Sequence, residues 1–167
     1  MTNPAPIGDH CLSAIIVIFI ISVLAPLPVA AGEEIAGKPR VISGDTMEVA
    51  GIRLRLFGID APELGQTCVW PNKTIDCGNV SRTALLDLVA VATVQCRRQA
   101  ADSADIWTAA CTAGGFDIAR NMVHTGWAVA LPDDPAGYKA VENRAKSARR
   151  GMWRGTFTAP WVWRASQ

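Results

Sequence analysis

Three charged side chains surround one short apolar run, and their types suit phosphate chemistry. The stretch "RLFGIDAPE", residues 55–63, begins with Arg55 and ends with Asp60 and Glu63. In a regular strand, two residues five positions apart point to opposite faces of the sheet, so Arg55 and Asp60 would be separated. Gly58 predicts a bulge or bend, because glycine inside a strand commonly marks one. One extra residue would return both charges to the same side.

A second carboxylate is expected beside Asp60. The segment "SGDT" places Asp45 at the start of the preceding strand, from which its side chain can meet Asp60 across a hairpin. Two carboxylates that converge without an arginine between them repel each other unless a cation is bound. Carboxylates, main-chain carbonyls and water suit Ca²⁺ or another hard cation, and the sequence offers no nearby histidine for a zinc site.

These residues predict metal-assisted hydrolysis of a phosphodiester. With Ca²⁺ held by Asp45 and Asp60, Glu63 could take a proton from an attacking water. Arg55 could bind the phosphate and its growing negative charge. The structural alternative is that "DAPE" forms a turn with a helix-capping role and that Arg55 pairs with Glu63.

The elements that must position these groups are short strands followed by helices. Strands are predicted at 40–42, 46–49, 52–59, 93–97 and 106–111. Helices are predicted at 80–90, over "FDIARNMVHTG" up to Gly126, and after "DDP" at 133–135 up to Gly151, with Tyr138, Val141, Ala145 and Ala148 on one stripe. This order predicts an α+β fold that is mainly a β-barrel, the five-stranded OB-fold barrel with three packed helices.

The N-terminal part is expected to be a targeting segment rather than part of the fold. An apolar run over residues 12–29 is followed by small residues, which favours a signal peptide over 1–31 with cleavage after Ala31. The preceding residues contain no Lys or Arg, so a membrane anchor through residues 12–29 stays open. Residues 32–167 are one domain's worth of chain, and we expect an exported protein, periplasmic or secreted.

The cysteines agree with export. Cys11 falls in the targeting segment, and four remain: Cys68, Cys77, Cys96 and Cys111. They form no C-x-x-C pair, so a thiolate zinc site is disfavoured, and an even set in an exported chain indicates two disulfides out of three pairings. We favour Cys68 with Cys77 and Cys96 with Cys111. The alternative is four free thiols in a reducing compartment.

The C-terminal segment is basic and rich in tryptophan. Removal of residues 1–31 takes away one acid and changes the net charge from +1 to +2, 16 basic minus 14 acidic residues. From residue 136 onward, a single acid, Glu142, accompanies seven basic residues: Lys139, Arg144, Lys146, Arg149, Arg150, Arg154 and Arg164. A polyanion is a plausible partner, although a basic helix face is often merely solvated. We expect Trp153, Trp161 and Trp163 to pack against the body rather than to stack bases.

The motifs together resemble the thermonuclease, or staphylococcal-nuclease-like, family over essentially the whole mature chain. They are "VISGDTMEV", "RLRLFGIDAPE", "GGFDIARNMVHTGWA", "LGQTC", "GMW" and the ending "PWVWR". The resemblance implies an OB-fold and Ca²⁺-dependent cleavage of DNA and RNA. It further implies that Asp45, Asp60 and the main-chain carbonyl of Ala61 bind the metal, that Arg55 binds phosphate and that Glu63 is the general base.

The chain departs from that pattern at the second phosphate-binding arginine. The family usually has "D-x-Y-G-R" before the fifth strand, whereas this chain has "DSADI", with Ala104 and Ile106 in place of the tyrosine and the arginine. Ser43 replaces a further acid. Arg97 and Arg98 on the preceding strand are candidates for binding substrate instead, or they are solvated surface residues.

Two functions from different classes therefore stay open, beside a third, an envelope-anchored structural domain, which an uncleaved N-terminal segment would favour. The first is an exported nuclease whose activity is reduced by the loss of an arginine at position 106. The second is a non-catalytic OB-fold module that binds single-stranded nucleic acid or another polyanion. In both cases we expect a monomer without a protein partner, with membrane contact only through an uncleaved N-terminal segment.

Overall fold

The computed structural model describes residues 1–3, 33–101 and 106–167. The expected signal segment with its cleavage site, Cys11 and Ala104 lie outside the described residues. Within the described ranges, no helix is both long and apolar enough to cross a membrane.

Six strands form the main sheet, in the order β1-β8-β9-β4-β3-β2. Neighbouring strands are antiparallel except β4 and β9, which are parallel. The two-residue strand β10 extends the sheet at the end of β9. Their bounds are β1 Glu34–Gly37, β2 Pro39–Val41, β3 Thr46–Val49, β4 Ile52–Leu56, β8 Val94–Ala101, β9 Trp107–Ala113 and β10 Phe116–Asp117.

The two ends of this sheet belong to one continuous stretch of chain. Only Lys38 separates β1, which pairs with β8, from β2, which pairs with β3. The hydrogen-bonded path is not itself a closed ring, but the chain joins its two edges through this residue. When β1 and β2 are counted as one strand, five strands surround the core. The fold is the expected sheet-dominated α+β arrangement of OB type.

Side-chain alternation explains why these strands enclose a core. In β4, Leu54 and Leu56 are buried and Arg53 and Arg55 are exposed, as a period of two requires. Strand β9 likewise buries every second residue. The core is completed by apolar residues of the other strands and of three helices, among them Met47, Val49, Val94, Leu85, Val89, Ile118, Met122 and Val141.

The part of the chain that the structure describes also forms four α-helices: α1 Cys77–Val89, α2 Ile118–Thr125, α3 Lys139–Ser147 and α4 Pro160–Ala165. The first three correspond to the expected helices. Helix α1 begins earlier than its apolar spacing suggests, because the Asp76 carboxylate accepts the N–H of Asn79 at 3.0 Å and caps it. Helix α3 begins later, at Lys139. Asp134 still caps it by accepting the N–H groups of Tyr138 and Lys139.

Several elements were not anticipated from the sequence, among them β1, which lies outside every predicted strand. The segment between Cys68 and Cys77, for which no strand was predicted, is a hairpin of β6 Thr67–Trp70 and β7 Lys73–Asp76. The C-terminal tail forms a 3₁₀ turn at Gly151–Arg154 and then the short helix α4. The tail is tied to the hairpin by paired backbone hydrogen bonds between Val69 and Thr156.

A second apolar cluster joins the tail to the hairpin. Trp153 and Trp161 pack there, which agrees with the expectation that these rings pack against the body. The remaining members are Cys68, Cys77, Val129 and Met152, with Trp70, Ile75, Trp127 and Phe157 at the edge. Trp163 is half-buried and lines a cleft beside the candidate site. The tail is therefore a packed part of the domain.

Both predicted disulfides are present. Cys68 is bonded to Cys77 at the base of the hairpin, and Cys96 is bonded to Cys111. Cys96 and Cys111 lie directly opposite each other in the β8–β9 ladder, where side chains on neighbouring strands come close. Each bridge therefore links segments that already pair.

Candidate active site

Asp45 is held rigidly at the start of β3. Its side chain is 5% exposed, and its Oδ1 accepts hydrogen bonds from the hydroxyls of Ser43 and Thr46, both at 2.8 Å. Its Oδ2 accepts the main-chain N–H of Ala61 at 3.2 Å. Ser43, at the position of the family's further acid, therefore supplies a hydrogen-bond donor that orients Asp45.

Asp60 reaches the same place from the other side of a tight turn. Strand β4 ends at Leu56 and β5, Ile59–Asp60, follows after Gly58, which has a φ of +80°. A side chain at this glycine would be strained by that φ and would meet the Cβ of Ala136 at 2.3 Å. The bend expected at Gly58 is present. Strand β5 is then held by pairing with β11 Val129–Ala130.

The two carboxylates influence each other. Asp60 is 3% exposed, and burial raises the pKa of its carboxyl to about 6. The hydrogen bond from Arg164 lowers this pKa, and the nearby charge of Asp45 raises it. The fold therefore brings together the two acids that the sequence predicted to converge.

Glu63 lies on the turn that follows β5. Its main-chain N–H donates to Oε1 of Gln66 at 3.2 Å, and the N–H of Gln66 donates to its carbonyl at 2.9 Å. Gln66 is fully buried, and its Nε2 donates to the carbonyl of Thr158 in the tail at 2.7 Å. A Cβ at Gly78 would lie 1.9 Å from the Glu63 carbonyl, so only glycine lets α1 approach this turn so closely. The Glu63 turn is thus fixed from two sides.

A cation that the sequence did not predict here joins the two acids of this loop. Arg164 of α4 donates from Nη2 to Asp60 Oδ2 at 2.8 Å and from Nη1 to Asp60 Oδ1 at 3.4 Å. The same Nη1 also pairs with Glu63 Oε1. The hydrogen bond to Asp60 raises the pKa of the Arg164 guanidinium further, so it stays charged. The alternative pair of Arg55 with Glu63 is not formed.

Arg55 and Arg164 line the same two clefts. One cleft, of about 380 Å³, also contains Glu63, Ile106 and Trp163. The other, of about 400 Å³, contains Asp60, Thr108 and Trp161 beside the two arginines. Arg55 reaches both clefts because it is on the outward face of β4, paired with Thr46 on one side and Thr108 on the other. The predicted phosphate arginine therefore faces the predicted base across a cleft.

Arg97 and Arg98 lie elsewhere. Arg98 pairs with Glu33 and stacks on Trp107, with its guanidinium carbon 5.0 Å from the ring centroid. Arg97 lines a separate cleft with Glu34. Neither of them lines the two clefts that contain Arg55. Their role in binding substrate remains a prediction that the structure does not support by proximity.

The donor set at Asp45 and Asp60 fits a hard cation. The candidate ligands are all oxygens: two buried carboxylates and, beside Asp45, the hydroxyls of Ser43 and Thr46. Asp45 Oδ2 and both oxygens of Asp60 each accept one protein hydrogen bond, which leaves lone pairs for a cation. Within the described residues no cluster of three or more acidic, His or Cys side chains could hold a metal. A cation here would depend on main-chain carbonyls and water for further ligands.

The fold and this site define a family. Residues 53–155 match the family described as "Staphylococcal nuclease homologue", which is more than half of the chain. The chain belongs to this family. Asp45 and Arg164 lie outside the matched range.

Curated relatives agree with this assignment. The chain is 36% identical over 129 residues to the "Succinoglycan biosynthesis protein ExoI" of Rhizobium meliloti (strain 1021), covering 74% of this chain and 67% of that protein. It is 29% identical over 128 residues to the "Probable staphylococcal-like nuclease CAN2" of Oryza sativa subsp. japonica, covering 75% of this chain and 32% of that protein. A second rice protein, "Probable staphylococcal-like nuclease CAN3", matches with the same identity and coverage. The chain thus spans about a third of the length of these rice relatives.

Proposed function

We propose that this protein is a Ca²⁺-dependent nuclease that hydrolyses phosphodiester bonds of DNA or RNA. The observation that carries the proposal is that two clefts share Arg55, one lined also by Asp60 and the other by Glu63, in a member of the nuclease family. Asp45 lies next to Asp60, hydrogen-bonded to the N–H of Ala61. Calcium dependence is supported by the all-oxygen donor set. Nucleic acid as substrate is supported by the family and by two arginines on the cleft.

The positions of the residues support the following roles. Asp45, Asp60 and the Ala61 carbonyl would hold Ca²⁺, which would supply positive charge to neutralise the phosphate. Glu63 takes a proton from the attacking water, for which its side chain, 31% exposed, is accessible from the cleft. Arg55 donates hydrogen bonds to the phosphate and stabilises the charge that grows on its oxygens. Ser43, Thr46 and Gln66 keep the acidic side of the site oriented.

A digestion assay tests this proposal. Purified protein should cut single-stranded DNA with Ca²⁺ present and should stop when EGTA removes the metal. Glu63→Gln should lower the rate on the order of 10²-fold or more, because general-base catalysis contributes about 10²–10⁴-fold. The matched control is Glu48→Gln, since Glu48 is on β3 in a surface pair with Arg40 outside both clefts. Equal rates for the two variants would contradict the assignment of Glu63.

One observation favours the binding module as the second candidate. Arg164 already neutralises Asp60 and Glu63, and position 106 lacks its arginine. A protein with that electrostatic arrangement could bind single-stranded nucleic acid without cutting it. Retention of labelled DNA with no Ca²⁺-dependent products would favour this candidate over the enzyme.

Export is part of the same proposal. It is supported by the apolar run at 12–29 and by two disulfides, because disulfides persist in oxidising compartments. The N-terminus of the protein recovered from a cell envelope fraction tests it. Gly32 at the N-terminus would support cleavage after Ala31, whereas an intact chain in the membrane fraction would support an anchor.

A further inference from the structure

We propose that Arg164, on the C-terminal helix α4, is the second phosphate-binding arginine of this protein and takes the role that position 106 has lost. The proposal rests on the proposed function, because it assigns a residue to the same substrate site. It adds a group from outside the family match, which ends at residue 155.

Position in the cleft is the first argument. Ile106 and Arg164 line the same cleft, together with Arg55 and Glu63. A guanidinium from α4 therefore lies beside the place that an arginine at 106 would occupy. A phosphate between Arg55 and Arg164 would be held by two forked donors, the geometry that arginine provides for phosphate oxygens.

Accessibility is the second argument. The Arg164 side chain is 41% exposed although it contacts two acids, of which Asp60 is almost fully buried. The pair compensates the buried charge of Asp60, and it still leaves part of the arginine side chain open to the cleft. A guanidinium that is accessible from a cleft can exchange a carboxylate for a phosphate. In the unliganded protein Arg164 balances the charges of Asp60 and Glu63.

The tail is anchored firmly enough to present this side chain. Helix α4 is only six residues long, but Pro160 at its start is buried and Trp161 packs in the second apolar cluster. Just before the helix, the Thr158 carbonyl accepts the hydrogen bond from Gln66, the residue that also holds the Glu63 turn. The base and the arginine are therefore positioned by one shared contact.

Binding without metal tests the assignment independently of catalysis. Fluorescence anisotropy with a 5′-labelled oligothymidylate in EGTA should show roughly 10- to 100-fold weaker binding for Arg164→Gln, the loss expected when a hydrogen bond to a charged group is removed. Arg164→Lys should recover part of the affinity. Arg144→Gln is the control, since Arg144 is exposed on α3 and lines neither cleft. Unchanged affinity in a folded Arg164→Gln protein would overturn the proposal.

Cleavage with Ca²⁺ gives the second readout. Arg164→Gln should slow cleavage on the order of 10²–10³-fold, the cost of losing one transition-state donor. Adding Ile106→Arg to Arg164→Gln should restore part of that rate. The proposal would be overturned if Arg164→Gln cleaved faster and bound Ca²⁺ more tightly, as measured by calorimetry with the metal alone. Arg164 would then inhibit the enzyme by occupying the metal-binding carboxylates.

The two proposals fail in different ways. A wild-type protein that binds the oligonucleotide through Arg164 but never cuts it would overturn the nuclease and support the phosphate contact. If the Arg164→Gln variant cuts and binds DNA as well as the wild-type protein does, the nuclease proposal stands and the role of Arg164 is overturned.

Discussion

At the scale of single residues, the candidate site contains two acids whose oxygens accept hydrogen bonds and one apolar side chain, Ile106. Asp45 accepts three hydrogen bonds and Asp60 two, so neither carboxylate depends on a metal to remain buried. Ile106 lines the cleft next to Arg55 at the position where the family usually has an arginine. An apolar side chain there contributes nothing to a developing negative charge.

Ile106→Arg should raise Ca²⁺-dependent cleavage. A phosphate-clamping arginine can contribute ~10³–10⁵ in rate, but Arg164 in the same cleft already supplies part of that charge, so we expect a gain of about tenfold. Initial rates on single-stranded DNA measure the effect. Ile106→Gln is the control for loss of the apolar side chain without gain of a cation. No gain in a folded Ile106→Arg protein would argue against the alignment of this loop or the clamp itself.

At the scale of elements, polar contacts near the helix ends add to the apolar packing of the helices in the core. The Tyr138 hydroxyl, just before α3, donates to Asp117 Oδ2 at 2.6 Å, and Asp117 also caps α2 by accepting the N–H of Arg120. Burial raises the pKa of the Tyr138 hydroxyl, and the hydrogen bond and charge of Asp117 raise it further. Titration of one phenol therefore reports the docking of α3 on α2.

Stability should fall above about pH 10 because of Tyr138. Below pH 10, the pKa of a tyrosine in the unfolded chain being about 10, both the native and the unfolded state hold the phenolic proton. Tyr138 therefore does not make the free energy of unfolding depend on pH in that range. Above it the unfolded chain releases the proton while the native state keeps it, which favours unfolding by about 1 kcal/mol near pH 11. Unfolding by urea at several pH values measures the fall.

Tyr138→Phe is the control for this pH effect. The variant should lack this part of the alkaline loss, although it also lacks the hydrogen bond to Asp117. Tyr138 is the only tyrosine in the sequence, so tyrosinate absorbance follows its titration directly. A midpoint near pH 10 in the folded protein would contradict the expected protection.

At the scale of the whole molecule, two covalent bridges hold the OB-type body and the hairpin that supports the tail. Cys96–Cys111 spans the β8–β9 pair within the sheet, and Cys68–Cys77 closes the β6–β7 hairpin. The tail pairs with that hairpin and ends in the helix that carries Arg164. Stability and site geometry are therefore linked through the C-terminal third of the chain.

Removing the Cys96–Cys111 bridge should cost about 3 kcal/mol of unfolding free energy, the chain-entropy estimate for a loop of this length. The double variant Cys96→Ala/Cys111→Ala avoids a free thiol, and urea unfolding measures the loss. Cys68→Ala/Cys77→Ala should cost slightly less, because its loop is shorter, with a sequence separation of 9 against 15. A larger loss for the shorter loop would show that packing around the hairpin, rather than loop entropy, determines the effect.

Much of the fold and half of the site could be predicted from local sequence. Alternation in "IRLRL" determined which side of β4 faces the core, and Gly58 predicted the bend that brings Asp60 back toward Asp45. The even number of cysteines predicted two disulfides, and the favoured pairing is the one present. These inferences succeed because strand period, glycine conformation and short loops depend on neighbours a few residues away.

The hairpin and α4 could not be found in this way. Helix α4 is too short to show a periodic pattern, and it is stabilised by Trp161 and Pro160 packing against distant segments rather than by helix propensity. The only signal in the sequence was the "PWVWR" ending, which marks the family resemblance without indicating what its arginine contacts.

By itself the sequence placed the two candidate acids, the candidate base and Arg55, because each lies on its own strand or turn. The lack of an arginine at position 106 came from the family resemblance. Only the tertiary structure decided that Arg164, 104 positions after Asp60 and 101 after Glu63, joins them. The physical reason is that this contact depends on the route of the tail over the hairpin and on burial of its tryptophans. The route of the tail and the burial of its tryptophans are properties of the whole packed chain, so they cannot be read from any one segment.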